Sequence, residues 1–154
     1  MSKHSPAAMR ESSTKHSPAA MRESSTELSV VIATYNRPQS LVRILGELAA
    51  QTIAKNRYEV VVVDDGSKEA VSPEADAFLK TPEGKDLRVH VERQKNAGAA
   101  AARQRGAEIA QGEVLVILDD DMLVPRAFLE SHLAEHANGH DKRVVMGRLK
   151  ADGK

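Results

Sequence analysis

Leu28-Ser29-Val30-Val31-Ile32-Ala33-Thr34-Tyr35-Asn36-Arg37 is the stretch that decides the fold. Seven residues, interrupted only by Ser29, run apolar up to Thr34 and then give way at once to Tyr-Asn-Arg. A half-buried strand would alternate apolar with polar side chains. A continuous run of this length fits a strand buried on both faces, as in a parallel sheet. Pro38 follows, and proline suits a first helical turn because its missing N–H is not needed there. Leu41, Ile44, Leu45 and Leu48 then fall on one helical face. A buried strand feeding an amphipathic helix is the opening of a β-α-β unit.

The pattern repeats towards the carboxyl end. A second buried strand spans Tyr58 to Val63 and ends in Asp64-Asp65-Gly66-Ser67. A weaker helix covers Pro73 to Lys80, and Leu87 to Val91 alternates like a short third strand. Ala97 to Ala110 is an alanine-rich helix and Glu113 to Leu118 a fourth strand. Pro125 to His136 is another helix, stopped by Asn138-Gly139, and Arg143 to Leu149 reads as a fifth strand. Strands alternating with helices predict an α/β fold: a Rossmann-like, mostly parallel sheet with helices on both faces. Ligands of such sheets bind beyond the carboxyl ends of the strands. Thr34-Tyr35, Asp64-Asp65, Asn96 and Asp119 to Asp121 all fall at those ends.

Towards the amino end the character changes. Lys3 to Thr14 is repeated letter for letter by Lys15 to Thr26. A serine-rich duplication poor in branched apolar residues cannot bury enough surface to offset the entropy of ordering it. Two copies of so short a unit do not make a solenoid either. Residues 1–26 are therefore expected to form a disordered tail, and residues 27–154 a single domain.

Composition excludes several classes. Lys+Arg and Asp+Glu balance at 22 each, without the basic excess usual in nucleic-acid binders. Aromatic residues make up 3% of the chain, too few for base-stacking platforms along a single strand. With no cysteine, a metal must be held by oxygen or imidazole ligands. The longest apolar runs fall far short of the ~18 residues that span a bilayer, and no basic-then-apolar leader opens the chain. The expectation is a cytoplasmic protein, or one peripheral to a membrane, with no transmembrane segment and no nucleic-acid partner.

The strongest chemical signal is Asp119-Asp120-Asp121. Three successive carboxylates at the end of an apolar strand repel one another, and burying them without a counter-ion is costly. Magnesium and manganese favour such a setting, because they take a few carboxylates together with substrate phosphate oxygens. Alternate residues of an extended segment point the same way, so Asp119 and Asp121 can converge while Asp120 turns to another partner. The competing reading is a solvated acidic loop at the amino end of the next helix. Asp64-Asp65-Gly66-Ser67 reads either as a turn or as a carboxylate placed to accept from a base or ribose. Asn96-Ala97-Gly98 leads into the alanine-rich helix, whose amino end and Arg103 can face phosphate. Gly106 within that helix points equally to close packing on the sheet. His132 and His136 have metal-pair spacing but lack the glutamate that a zinc-protease helix carries directly after its first histidine; an exposed helical pair is expected. No Gly-x-x-x-x-Gly-Lys, no Gly-x-Gly-x-x-Gly after the first strand and no Gly-x-Ser-x-Gly occurs, which removes common competitors for an α/β sheet.

Together these segments resemble family 2 glycosyltransferases of the GT-A fold. Ser29 to Arg37 is similar to the family's first strand, and Val63 to Ser67 to its second signature. Asn96-x-Gly98 with Ala102-Arg103 and Gly106 resembles the third. Ala110-x-Gly112-Glu113, followed by Leu118 to Asp121 and Pro125, resembles the fourth, which contains the DxD metal motif. The resemblance runs from about Leu28 to His136. It implies that the Thr34-Tyr35-Asn36 loop and Asp65 hold the base and ribose, commonly of a uridine nucleotide, and that Asp64 supports that loop. Arg103 and the loop at Asn96 and Gly98 would lie near the nucleotide or sugar. Asp119 and Asp121 would bind Mn2+ or Mg2+ and approach the donor sugar, with Asp120 an alternative in the triplet. A bound cation would neutralise charge on the departing diphosphate, an effect worth several kcal/mol. The implied partners are a nucleotide sugar, a UDP-sugar foremost, and a carbohydrate, lipid or other hydroxyl acceptor. The family's acceptor-binding half and its general base follow the DxD region, so this chain is expected to be an incomplete fragment that lacks that base. A non-catalytic nucleotide-binding module and an unrelated magnesium-dependent phosphotransfer domain are the alternatives.

Overall fold

A computed structural model of the chain describes residues 26–137 and 144–146. Four parallel strands form its sheet: β1 (Leu28–Thr34), β2 (Tyr58–Asp64), β3 (Val89–Arg93) and β4 (Val114–Asp119), in the order β3-β2-β1-β4. The helices are α1 (Pro38–Ala49), α2 (Ser72–Leu79), α3 (Ala99–Ile109) and α4 (Phe128–His136). The duplicated segment, apart from Thr26, lies outside the described residues, as does the Asn138-Gly139 stop. Most of the expected fifth strand also lies outside them; Val144, Val145 and Met146, which are described, belong to no strand.

Alternation along β1 and β2 builds the two layers. Val30, Ile32, Val60 and Val62 face Leu41, Ile44, Leu45 and Leu48 of α1 in the larger core, which also takes Ala75 of α2 and Leu129 of α4. Val31, Val61 and Val63 face the other way, against Ala102 of α3. The long apolar runs of β1 and β2 thus have a physical cause: both of their faces are covered. β4 differs. Its Val116 and Leu118 are buried, whereas Leu115 and Ile117, on the α3 side, are exposed, because α3 lies over β1 and β2. Helices cover both faces, as expected; among the described residues that double cover falls on the two central strands, and none of these helices lies over the Leu115–Ile117 side of β4.

The third strand starts two residues later than its alternation suggests. Leu87 is buried but belongs to a turn, with its N–H donating to the Gly84 carbonyl at 3.1 Å. Parallel pairing with β2 begins only at Val89 and continues through the polar Glu92 and Arg93. An edge strand tolerates these charges because one flank is open: Glu92 accepts from Arg105 at 2.8 Å, and Arg93 donates to the Ser67 carbonyl. The fourth helix likewise starts three residues after Pro125, beyond a turn in which the Phe128 N–H reaches the Pro125 carbonyl at 3.0 Å.

α3 approaches the sheet through Gly106. A β-carbon there would overlap the Val31 side chain and lie 3.4 Å from that of Val63. Both valines are β-branched and locked in strands, so neither has a free rotamer to yield. Gly106→Ala is accordingly expected to lower stability by about 1–2 kcal/mol, the overpacking cost exceeding the ~1 kcal/mol gain in helix propensity. Urea unfolding followed by circular dichroism checks this; a more stable variant would show that α3 simply moves away from the sheet.

Candidate functional site

In the order β3-β2-β1-β4 the chain runs outward from β1 to β3 and then returns to the far side of β1. The crevice between the carboxyl ends of β1 and β4 is thus the point where strand order reverses, the usual ligand position in such sheets. A cleft of about 310 Å³ opens there, lined by Thr34, Tyr35, Arg37, Asp65, Arg103 and Asp119 to Asp121 along with two alanines.

Strand alternation sorts the acidic triplet. Asp119 pairs with Ala33 in the β1–β4 register and shares its side of the sheet, the side covered by α3. There Arg103 of α3 forms an ion pair with its Oδ1. Asp120 points to the opposite side, as Thr34 does, and is 4% exposed. The Thr34 hydroxyl donates to Asp120 Oδ2 at 2.7 Å, and Arg37 Nη1 donates to Oδ1 at 3.1 Å. Beyond Asp119 the strand ends in a turn, which takes Asp121 out of the alternation. Asp121 is exposed and accepts from the same Arg37 Nη1 at 3.1 Å. The ensuing segment is tied to α1 and to the residues just after it, with the Val124 N–H donating to Glu47 at 2.8 Å and the Leu129 N–H to Gln51 at 3.0 Å.

Asp65 closes the other wall. The Gln94 amide and the Ala97 N–H donate to its Oδ1 at 2.8 and 2.9 Å, and the Gly98 N–H donates to Oδ2 at 2.8 Å. Burial pushes the Asp65 carboxyl up, but these hydrogen bonds together outweigh it and hold its pKa below the ordinary value. The carboxylate can be that close to the 94–98 loop because Gly66 lacks a side chain: its φ is +76°, and a β-carbon there would stand 2.7 Å from the Asn96 nitrogen.

Several residues singled out from the sequence lie outside the cleft lining. Asp64 is buried behind it, its Oδ1 accepting from the Ser67 N–H at 2.9 Å. Asn36, at φ 55°, joins the two loops: its N–H donates to Ser67 Oγ and its side-chain oxygen accepts from the Lys68 N–H, both at 2.8 Å. Asn96 and Gly98 contribute backbone, Asn96 against Gly66 and Gly98 to Asp65. Arg37, by contrast, lines the cleft and bridges two of the three aspartates, a role that its place in the first-strand resemblance does not assign. Its position three residues past β1, at the same sheet edge as the triplet, was the available signal. Gln94 was missed as well, since only the fold brings it beside Asp65.

The histidine pair is not exposed as expected. Both rings are half-buried; His132 packs edge-on against Phe128 with ring centroids 4.6 Å apart, and His136 Nδ1 lies 2.8 Å from the His132 carbonyl oxygen. Phe128 supplies an apolar neighbour one turn earlier, which covers the ring that the sequence pattern left in solvent. Burial, then the neighbouring His136, lowers the His132 pKa. Among the described residues no group of three or more histidine, aspartate or glutamate side chains is arranged to hold a metal by itself. No described helix is long and apolar enough to cross a membrane.

Comparison with known proteins places this fold and crevice in context. The Validoxylamine A glucosyltransferase of Streptomyces hygroscopicus subsp. limoneus is 40% identical over 122 residues, 78% of this chain and 26% of that protein. Glycosyltransferase GlyG of Streptococcus pneumoniae is 35% identical over 121 residues, 78% of this chain and 38% of its own. The chain thus spans about a quarter to two-fifths of these relatives. Among solved structures, S. aureus TarS 1-349 in complex with UDP-GlcNAc superposes with a TM-score of 0.64 at 26% identity, covering 79% of this chain and 37% of that one. The mannosyltransferase PcManGT of Pyrobaculum calidifontis, in complex with GDP-Man and Mn2+, gives 0.63 at 27%, covering 70% and 32%. Residues 29–154 match the family described as Glycosyl transferase family 2. A parallel sheet of GT-A type, a reversal-point cleft and this match carry one conclusion: the chain belongs to glycosyl transferase family 2.

Proposed function

We propose that the cleft binds a nucleoside diphosphate sugar, with uridine as the nucleoside, together with Mn2+ or Mg2+, and that the whole protein transfers the sugar to an acceptor hydroxyl. The observation that carries this reading is the gathering of Thr34, Tyr35, Asp65, Arg103 and the three aspartates around a single crevice. One end of the crevice suits a nucleoside. Asp65 is held ionised and therefore accepts hydrogen bonds only; three of its roughly four lone-pair directions are taken by the 94–98 loop. The remaining one, on Oδ2, fits a donor such as the N3–H of uracil or a ribose hydroxyl. Tyr35, 47% exposed on the cleft wall, offers its ring to the base. GDP-Man is the donor bound in one structural relative and UDP-GlcNAc in another, so a comparison of the two nucleoside diphosphates decides the base.

The other end suits a diphosphate with its cation. Asp119 and Asp121 offer hard oxygen donors of the kind that magnesium and manganese prefer, and a partial set of carboxylates fits ions that complete their shell with phosphate oxygens and water. The presence of Mn2+ in the PcManGT complex supports the same assignment. When bound, the cation supplies Lewis-acid neutralisation of the charge on the leaving diphosphate. The protein's part is to fix the donors: Arg103 orients Asp119, and buried Asp120 holds the β1 loop against the end of β4. No general base is assigned within the described residues.

Titrating the full chain with uridine diphosphate, with and without Mn2+, tests this reading. Binding is expected to depend on Mn2+ and to weaken about tenfold or more in Asp121→Ala, the effect of losing one charged ligand. Equal binding with and without metal, unchanged by the substitution, would remove the metal from the proposal. Preference for guanosine diphosphate would overturn the uridine assignment alone.

A further inference from the structure

Arg37 stands where a cation belongs. Its Nη1 donates at 3.1 Å both to Asp120, which is buried, and to Asp121, which is 60% exposed at its side chain. Among the described residues, both hydrogen bonds of this guanidinium go through Nη1. A guanidinium carries a full charge at every working pH. The two contacts are unequal. Asp120 is fixed by Thr34 and shielded from water, whereas Asp121 is solvated, and ion pairs open to solvent are weak and easily exchanged.

We infer that Arg37 is a resident counter-cation of the acidic triplet. It neutralises Asp121 until a divalent ion takes that carboxylate, and then, still held by Asp120, lends its charge to the diphosphate. The inference rests on the nucleotide-sugar reading above. It gives the buried middle aspartate a purpose, since without Asp120 the displaced guanidinium would have no anchor beside the phosphates. A planar fork tethered through one nitrogen keeps its other N–H donors for phosphate oxygens.

The test uses the full chain, Arg37→Ala and Arg37→Lys, with three probes: Mn2+ alone, uridine diphosphate at saturating Mn2+, and uridine. For Arg37→Ala, Mn2+ alone is expected to bind about threefold more tightly, because its competitor is gone. Uridine diphosphate should bind about tenfold more weakly, through loss of a charge-assisted contact. Uridine, which carries no phosphate, should bind as to the unaltered chain. Arg37→Lys, which keeps the charge without the fork, should recover part of the diphosphate affinity. Unchanged Mn2+ and diphosphate affinities would overturn the assignment, and so would an equal loss for uridine and its diphosphate, the mark of a merely structural residue. Absence of any diphosphate binding by the unaltered chain, with or without Mn2+, would instead overturn the nucleotide-sugar reading, and this inference with it.

Discussion

Asp120→Ala is expected to destabilise the domain by about 2 kcal/mol and to weaken uridine diphosphate binding about 30-fold or more, the largest loss of any single change at the cleft. The carboxylate is buried and is bonded to Thr34 and Arg37. Deleting it leaves the buried Thr34 hydroxyl without its acceptor and releases Arg37 from the β4 side. An unsatisfied buried donor costs about 1–3 kcal/mol. Asp120→Asn, which keeps one oxygen for Thr34, should retain most of the stability and lose mainly the charge that anchors Arg37. Chemical denaturation and calorimetric titration of the two variants separate these effects. Equal behaviour of the alanine and asparagine forms would mean that the Thr34 bond contributes nothing.

The second large effect is expected at Asp65. Asp65→Ala strips the acceptor from the Ala97 and Gly98 N–H groups and from Gln94 at once. A loss of about 3 kcal/mol follows from three hydrogen bonds to a charged group, discounted for water reaching the loop. The pH dependence has a definite sign. The folded carboxyl titrates below its ordinary value, so its contribution is present above the unfolded pKa of about 4 and is lost as pH falls through the lowered folded value. The stability gap between the unaltered protein and Asp65→Asn should therefore be constant at neutral pH and narrow below about pH 4. A gap that widened in acid would contradict the cause assigned here.

The sheet was legible because burial on two faces leaves a mark that few other environments leave. The runs at Val30–Ile32 and Val60–Val63 could be read as central strands before any partner was known, and α1 followed from the spacing of Leu41, Ile44, Leu45 and Leu48. Edges were harder. β3 mixes half-buried and exposed positions, and its pairing with β2, which its own alternation does not encode, decides where it starts. The bare side of β4 was hidden for a related reason: Leu115 and Ile117 look like core residues until the lateral position of α3 is known. At the cleft, the acidic triplet and the Asp64-Asp65 turn announced themselves by charge at strand ends. Alternation also foretold that Asp120 turns away from its neighbours; what sequence could not convey was which partner it meets. That Asp120 turns inward to Thr34, and that one arginine from the far side of the crevice serves two aspartates, depends on contacts 83 to 86 residues apart along the chain.

That separation has a kinetic meaning. β1 and β2 are near in sequence and can pair early, but the crevice has only one wall until β4 arrives on the other side of β1. Closing so long a loop costs more chain entropy than pairing nearer segments, and topologies rich in such contacts fold slowly. The Thr34–Asp120 bond is in effect a clasp across the two strands: a chain in which β4 has not docked has no crevice, so competence to bind requires β4 in place.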